Sequence, residues 1–252
     1  MITVFKRTEK KYMINGEQTR RLEELILDGY MVPDRGGAYM VQNLYFDNAN
    51  WDIVTTSIRK PPYKEKMRMR CYGPLENASV VFLELKKKYQ GIVYKRRVVI
   101  PKEKLEMPLI EVLRKDDSQI AREMVYHLQT TGVEEKMFLS YRRKAFSGVG
   151  ENKELRITYD RDVMYRLNDL NFNRPSDGRK VLDDDAVLLE IKSPFSIPLW
   201  LSRFLSDNGI FSASFSKYGT CFGDYWQDNA HILGDLNLMP TLNREKGLLV
   251  AV

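Results

Sequence analysis

In the segment YKEKMRMRCYG, residues 63–73, a cation stands at every second position: Lys64, Lys66, Arg68 and Arg70. Period-two alternation is the mark of a β-strand, so these four side chains share one face. The residues between them turn apolar along the segment, Glu65 giving way to Met67, Met69 and Cys71. If the apolar face looks into a core, the cations form a solvated outer face. If they converge on an enclosed surface, they form an anion site, because a guanidinium matches phosphate oxygens two at a time.

Five further segments repeat the pattern. Arg7, Glu9 and Lys11 are co-facial in FKRTEKKYMI, and in VVFLELKKK Glu84 and Lys86 share a face with Val80 and Phe82, opposite Val81, Leu83 and Leu85. Tyr141 and Arg143 align in MFLSYRRKAF, as do Glu154, Arg156, Thr158, Asp160 and Asp162 in ELRITYDRDV. In VLLEIKSP, Glu190 and Lys192 stand opposite Val187, Leu189 and Ile191. Any one of these reads as a solvated face. Together they read so less readily, since like charges at i and i+2 lie roughly 7 Å apart and repel by about 2 kcal/mol at an effective dielectric near 20. A solvent face normally intersperses both signs.

The elements that must position these residues follow from the same periodicity. Strands are predicted near 3–14, 39–47, 63–73, 79–88, 91–101, 136–146, 153–163 and 186–193. Helices are predicted in GEQTRRLEELILDG, ending at Gly29, in DDSQIAREMVYHLQTTG, ending at Gly132, and in SIPLWLSRFLSDNG, from a Ser196 cap to Gly209. They do not alternate one for one with strands, so the fold class is α+β, an antiparallel sheet with appended helices. Closing the eight strands into an antiparallel β-barrel, a tunnel with helices packed on the outside, is the placement open to the charged faces besides a solvated one. In that arrangement the charged faces line the lumen and the apolar faces lie under the helices. One domain is expected over 1–225, followed by a C-terminal tail, 226–252, packed or partly mobile.

Composition narrows the chemistry. The 252 residues carry 40 Lys and Arg against 34 Asp and Glu, a formal charge of +6, which implies an anionic partner. Cys71 and Cys221 form no metal or disulfide motif, and a reducing, cytoplasmic location is expected. No signal peptide and no transmembrane segment is read in this chain. With His127 and His231 the only histidines, and no nucleophile motif, triad catalysis is not expected. Nor is nucleic acid, since the aromatics do not interleave with basic residues as in single-strand binders.

In order along the chain, EKKY, RMRCYG, FLELKKK, LLEIKSP and FSKYG resemble the triphosphate tunnel metalloenzyme (CYTH-like) superfamily, and within it the VTC domain, the polyphosphate polymerase branch. The resemblance runs from about residue 4 to 222. It implies phosphate-binding roles for Lys11, Arg68, Arg70, Lys86, Lys95, Arg143, Arg156 and Lys217, with Tyr141 and Ser216 as neutral hydrogen-bonding partners and Glu190 as the metal ligand. Lys192 is added from its shared face with Glu190. The superfamily's ExExK opening is here Arg7-x-Glu9-x-Lys11, a departure that resembles the polymerase branch and weakens the case for a hydrolase.

The implied activity is transfer of the ATP γ-phosphoryl group to inorganic polyphosphate with Mn2+ or Mg2+, Lys11, Arg68, Arg70, Lys86, Arg143 and Arg156 acting at the reacting phosphates. Phosphoryl transfer rests on positioning and charge neutralisation, which a ring of cations supplies. Glu9 and Glu84 are read either as a base for water, giving a tunnel triphosphatase, or as partners that fix Lys11 and Lys86. A non-catalytic polyphosphate- or nucleotide-binding module is the third reading. Lys64 and Lys66 match no position of the resemblance and are expected at the tunnel mouth. Relatives can be joined to membrane or regulatory domains, but the sequence names no such partner.

Overall fold

The computed structural model describes residues 8–34, 36–233, 241–243 and 248–250. Arg7, predicted on the first charged face, lies outside them. The strands are β1 (Thr8–Ile14), β2 (Met31–Pro33), β3 (Tyr39–Asp47), β4 (Tyr63–Tyr72), β5 (Val80–Tyr89) and β6 (Ile92–Pro101). They continue with β7 (Glu134–Gly148), β8 (Arg156–Arg166), β9 (Arg179–Lys180), β10 (Val187–Ser193), β11 (Thr241–Asn243) and β12 (Leu248–Val250). The helices are α1 (Gly16–Leu27), α2 (Asp52–Ile58), α3 (Leu109–Arg114), α4 (Gln119–Thr131), α5 (Leu199–Asp207) and α6 (Lys217–Leu233).

The eight predicted strands form one antiparallel sheet in the order β1-β10-β8-β7-β3-β4-β5-β6, with β2 and β9 attached to β7 and β8. The sheet curls strongly: Lys11 of β1, at one end of the order, bonds the Phe215 carbonyl at 2.9 Å, while Lys66 of β4, five strands on, bonds the adjacent Ser216 Oγ at 3.0 Å. The result is an α+β half-barrel whose open seam runs between β1 and β6.

The alternation of the strands decides the layers. On the convex side, Met67, Met69, Cys71, Val81, Leu83 and Leu85 pack against Val112, Leu113, Ala121, Met124 and Leu128 of α3 and α4. Leu22, Ile26, Leu201 and Leu205 of α1 and α5 cover Tyr12, Ile157, Val187, Leu189 and Ile191 in the same way. The outer cover expected from the sequence is therefore present. Asn15 and Gln18 close a capping box on α1, and Ser118 caps α4, which stops at the left-handed Gly132. The Ser196 cap expected for the third helix is not used: α5 begins after Pro198, whose fixed φ suits a helix start.

Two helices occupy the concave side at one end. Tyr218, Cys221 and Phe222 of α6 and Val54 of α2 pack on Val41, Tyr45, Leu139, Val163 and Tyr165. Both were missed in the sequence, α2 because its β-branched residues Val54, Thr55 and Thr56 are poor helix formers. The buried Asp47 carboxylate compensates, accepting from the Ile53 and Val54 amides at 2.9 Å. In α6, Gly219 and Gly223 obscure the pattern. A Cβ at Gly219 would lie 3.2 Å from Ile58 Cγ1 of α2, so the two helices pack closely there. α6 runs through the expected boundary at 225–226 to Leu233. Beyond it, only the short β11–β12 pair of the expected tail falls within the described residues. No helix among the described residues is long and apolar enough to cross a membrane.

Candidate functional site

The concave face gathers its cations into two clusters, each built around buried carboxylate. The first lies on β4, β5 and β6. Register sets Arg68 opposite Glu84, and Glu84 opposite Arg97. Arg68 donates Nε and NH2 to Glu84 Oε2 at 3.0 and 2.8 Å and NH1 to Tyr45 OH at 2.9 Å. Lys95 Nζ lies 2.6 Å from Glu84 Oε1, and the Arg97 guanidinium bonds the same oxygen. Arg70 reaches Glu84 at 3.9 Å and is fixed by Asn43 Oδ1 at 2.9 Å and Tyr141 OH at 3.3 Å. Burial alone would raise the Glu84 carboxyl, but Arg68, Arg70 and Lys95 outweigh it and hold it well below the usual carboxylate range.

The second cluster lies on β1, β10, β8, β7 and the start of α6. Arg143 grips Asp160 with two bonds, 2.6 and 2.7 Å, and Lys217 Nζ lies 2.5 Å from Asp160 and 3.3 Å from Glu190. Glu190 also faces Lys11 at 3.7 Å, Lys192 at 3.4 Å and Arg143 at 3.7 Å. Glu9 shares Lys11 and Lys192, at 3.5 and 3.8 Å. Burial opposes the charge of Glu190, yet Lys217, Lys11, Lys192 and Arg143 hold it far below its ordinary value. Lys217 is the first residue of α6, Ser216 capping that helix by accepting from the Gly219 amide at 3.2 Å, and its ammonium sits 4.6 Å from the centre of the Tyr141 ring.

The sequence-predicted residues Lys11, Glu9, Arg68, Arg70, Glu84, Lys95, Tyr141, Arg143, Glu190, Lys192, Ser216 and Lys217 thus meet on one face. Lys86 shares it, opposite both Lys66 and Lys95 in register, and makes no ion pair among the described residues. Arg156 stands beside Lys192 in register, and its half-exposed guanidinium pairs with Asp34 at 2.5 Å rather than with a carboxylate of either cluster.

Lys66 requires a correction. It is not a mouth residue but stands within the array, bonded to Ser216, because α6 folds back over β4. Asp162 also leaves the predicted face: it adopts a left-handed φ of 52° at a bulge in β8, and it pairs with Lys180 instead. Asp160 and Arg97 were not predicted as site residues, although Arg97 is two residues from Lys95 and Asp160 two from Thr158 on faces already charged. His127, expected to be non-catalytic, is buried on α4 with Nδ1 3.3 Å from Glu65.

A divalent ion fits this face in the manner of sites where one or two carboxylates bind the metal and phosphates complete its shell. Glu190 and Glu9 are the hard oxygen donors that converge on Lys11 and Lys192. Among the described residues no group of three or more His, Cys, Asp or Glu forms a metal cage without such phosphates.

A structure from Bacillus halodurans, provisionally named an adenylate cyclase, shares the fold with a TM-score of 0.52 at 14% identity, over 82% of this chain and 92% of that one. A Vibrio parahaemolyticus structure of the same provisional name matches less well, with a TM-score of 0.40 at 12% identity over 82% and 85% of the two chains. No curated protein matches the chain. The family model of the VTC domain matches residues 6–223, nearly the whole described sheet and its clusters. The chain belongs to the VTC domain family, a tunnel-fold domain that handles phosphate groups.

Proposed function

We propose that this protein is a polyphosphate polymerase that moves the ATP γ-phosphoryl group onto the end of an inorganic polyphosphate chain, with Mn2+ or Mg2+. The observation that carries the reading is the pair of braced cation clusters on one concave face. Arg68 and Arg70 on one side and Lys11, Arg143 and Lys217 on the other are aimed across the lumen by their carboxylates and tyrosines. They can receive the equatorial oxygens of a transferring phosphoryl group without reorganising, which is where most catalysis of this step resides. Glu190, with Glu9, would hold the metal, which when bound neutralises charge on the phosphates.

In the reaction, an ionised terminal oxygen of the chain attacks the γ phosphorus, the β–γ bridging P–O bond breaks, and ADP leaves with the electron pair. The acceptor carries no proton to remove. Hydrolysis would require a base for water, and the available carboxylates are poor ones. Both oxygens of Glu84 are bonded to cations and its carboxyl is strongly depressed. In Glu9 burial is likewise outweighed, here by Lys192, Lys86 and Lys11 together, so it too is lowered. The test is incubation with ATP and Mn2+ followed by a polyphosphate-stained gel. Long chains are expected. Free phosphate alone would identify a triphosphatase, and retained ATP without turnover a binding module.

A further inference from the structure

Four lysines on the same concave face belong to neither braced cluster. Register places Lys66 opposite Lys86 and Lys64 opposite Lys88, two successive like-charged rungs at the end of the β4–β5 ladder. Like charges directly opposed across strands are destabilising, and here no carboxylate lies within ion-pair distance of any of the four among the described residues. Neutral acceptors hold two of them: Lys64 donates to the Ser57 carbonyl at 3.1 Å and Lys66 to Ser216 Oγ at 3.0 Å. Beside them a cavity of about 360 Å³ is lined by Lys60, Pro61, Pro62, Lys64, Lys88 and Ser214. From Arg70 to Lys64 the co-facial cations cover three two-residue steps, about 20 Å of strand. That is longer than a triphosphate group.

We propose that Lys64, Lys66, Lys86 and Lys88 form a separate anion subsite, which takes the phosphates of a linear chain beyond those held at the two braced clusters. The inference rests on the lumen being the polyanion site. The groups facing Lys66 are Lys64 and Arg68 on β4, Lys86 on β5, Lys11 on β1, and Ser216 with the Tyr218 ring at α6. Burial and then these cations push its ammonium down to about 7. An arriving phosphate reverses the repulsion, so near and above neutral pH Lys66 binds a proton together with the anion.

The test is calorimetry of tripolyphosphate and of a longer linear polyphosphate at about pH 8, in buffers of different ionisation enthalpy. The longer chain should bind more tightly and take up close to one additional proton. In Lys66→Arg the chain-length gain should persist and the additional uptake vanish. In the double variant Lys64→Met with Lys88→Met the chain-length gain should be lost, with tripolyphosphate affinity kept within about twofold. A gain that survives the double variant, or uptake that survives Lys66→Arg, overturns the subsite. So does tripolyphosphate binding with no chain-length gain, whereas absence of tripolyphosphate binding overturns the lumen reading itself.

Discussion

Replacing Glu84 by Gln keeps the side chain's shape but removes the charge that braces Arg68 and Arg70. Glu84 is 2% exposed, and the Arg68 and Arg70 side chains are 24% and 7% exposed, so these contacts are shielded from solvent. Breaking a buried pair by removing one partner costs about 3–5 kcal/mol. Lys95 and Arg97, with side chains 43% and 37% exposed, add little because water screens them. Lumen water softens the loss, so about 3 kcal/mol is expected, a fall in Tm of roughly 6–12 °C for a domain of this size.

Saturating tripolyphosphate should recover much of that fall, since phosphate oxygens replace the missing carboxylate between the same guanidinium groups. Thermal unfolding with and without tripolyphosphate measures both quantities. Equal stability of variant and parent, or an equal deficit with and without the anion, would refute the brace. The pH dependence has a defined sign. The folded-state carboxyl of Glu84 is depressed, so its contribution is present above the unfolded pKa and is lost only as pH falls through the folded one. The gap between parent and variant should therefore persist through mild acid and close in strong acid.

Glu190→Gln should abolish Mn2+-dependent turnover while leaving most of the tripolyphosphate affinity, because Asp160 still braces Lys217 and Arg143; undiminished turnover would remove Glu190 from the metal assignment. Arg70→Ala should weaken tripolyphosphate binding more than Lys64→Ala does, measured by calorimetry at fixed salt. Equal losses would indicate a diffuse basic surface rather than a site centred on the braced arginines.

The strands and their inward faces were legible because a period-two pattern with charge on one side has few other placements. Alternation put Arg68, Arg70 and Glu84 on charged faces, and the resemblance singled out the two arginines from Lys64 and Lys66 beside them. What alternation could not show is which faces meet across the curl. Lys66 looked peripheral because nothing in YKEKMRMRCYG indicates that Ser216, 150 positions later, returns to sit over it. α6 was hidden by Gly219 and Gly223, which obscure its pattern, and the inward helix is what places Lys217 between Asp160 and Glu190. Asp162 broke a pattern that the rest of β8 kept, since a bulge is invisible to a rule that counts by twos.

The mixture of signs on this face follows from what the lumen must withstand before a substrate binds. Arg68, Arg70, Lys95 and Arg97 converge within reach of one carboxylate, and Lys11, Lys192, Arg143 and Lys217 around Glu190 and Asp160. Without the acids, neighbouring cations would repel by about 2 kcal/mol per close pair and swing apart into water. With them, each guanidinium or ammonium is held in place before substrate arrives, and a phosphate need only add to or replace an oxygen already accommodated there. The two rungs from Lys66 to Lys88 have no such brace. An arriving anion can meet these unpaired lysines, which makes that end of the lumen more responsive to the length of the chain it receives than the braced clusters are.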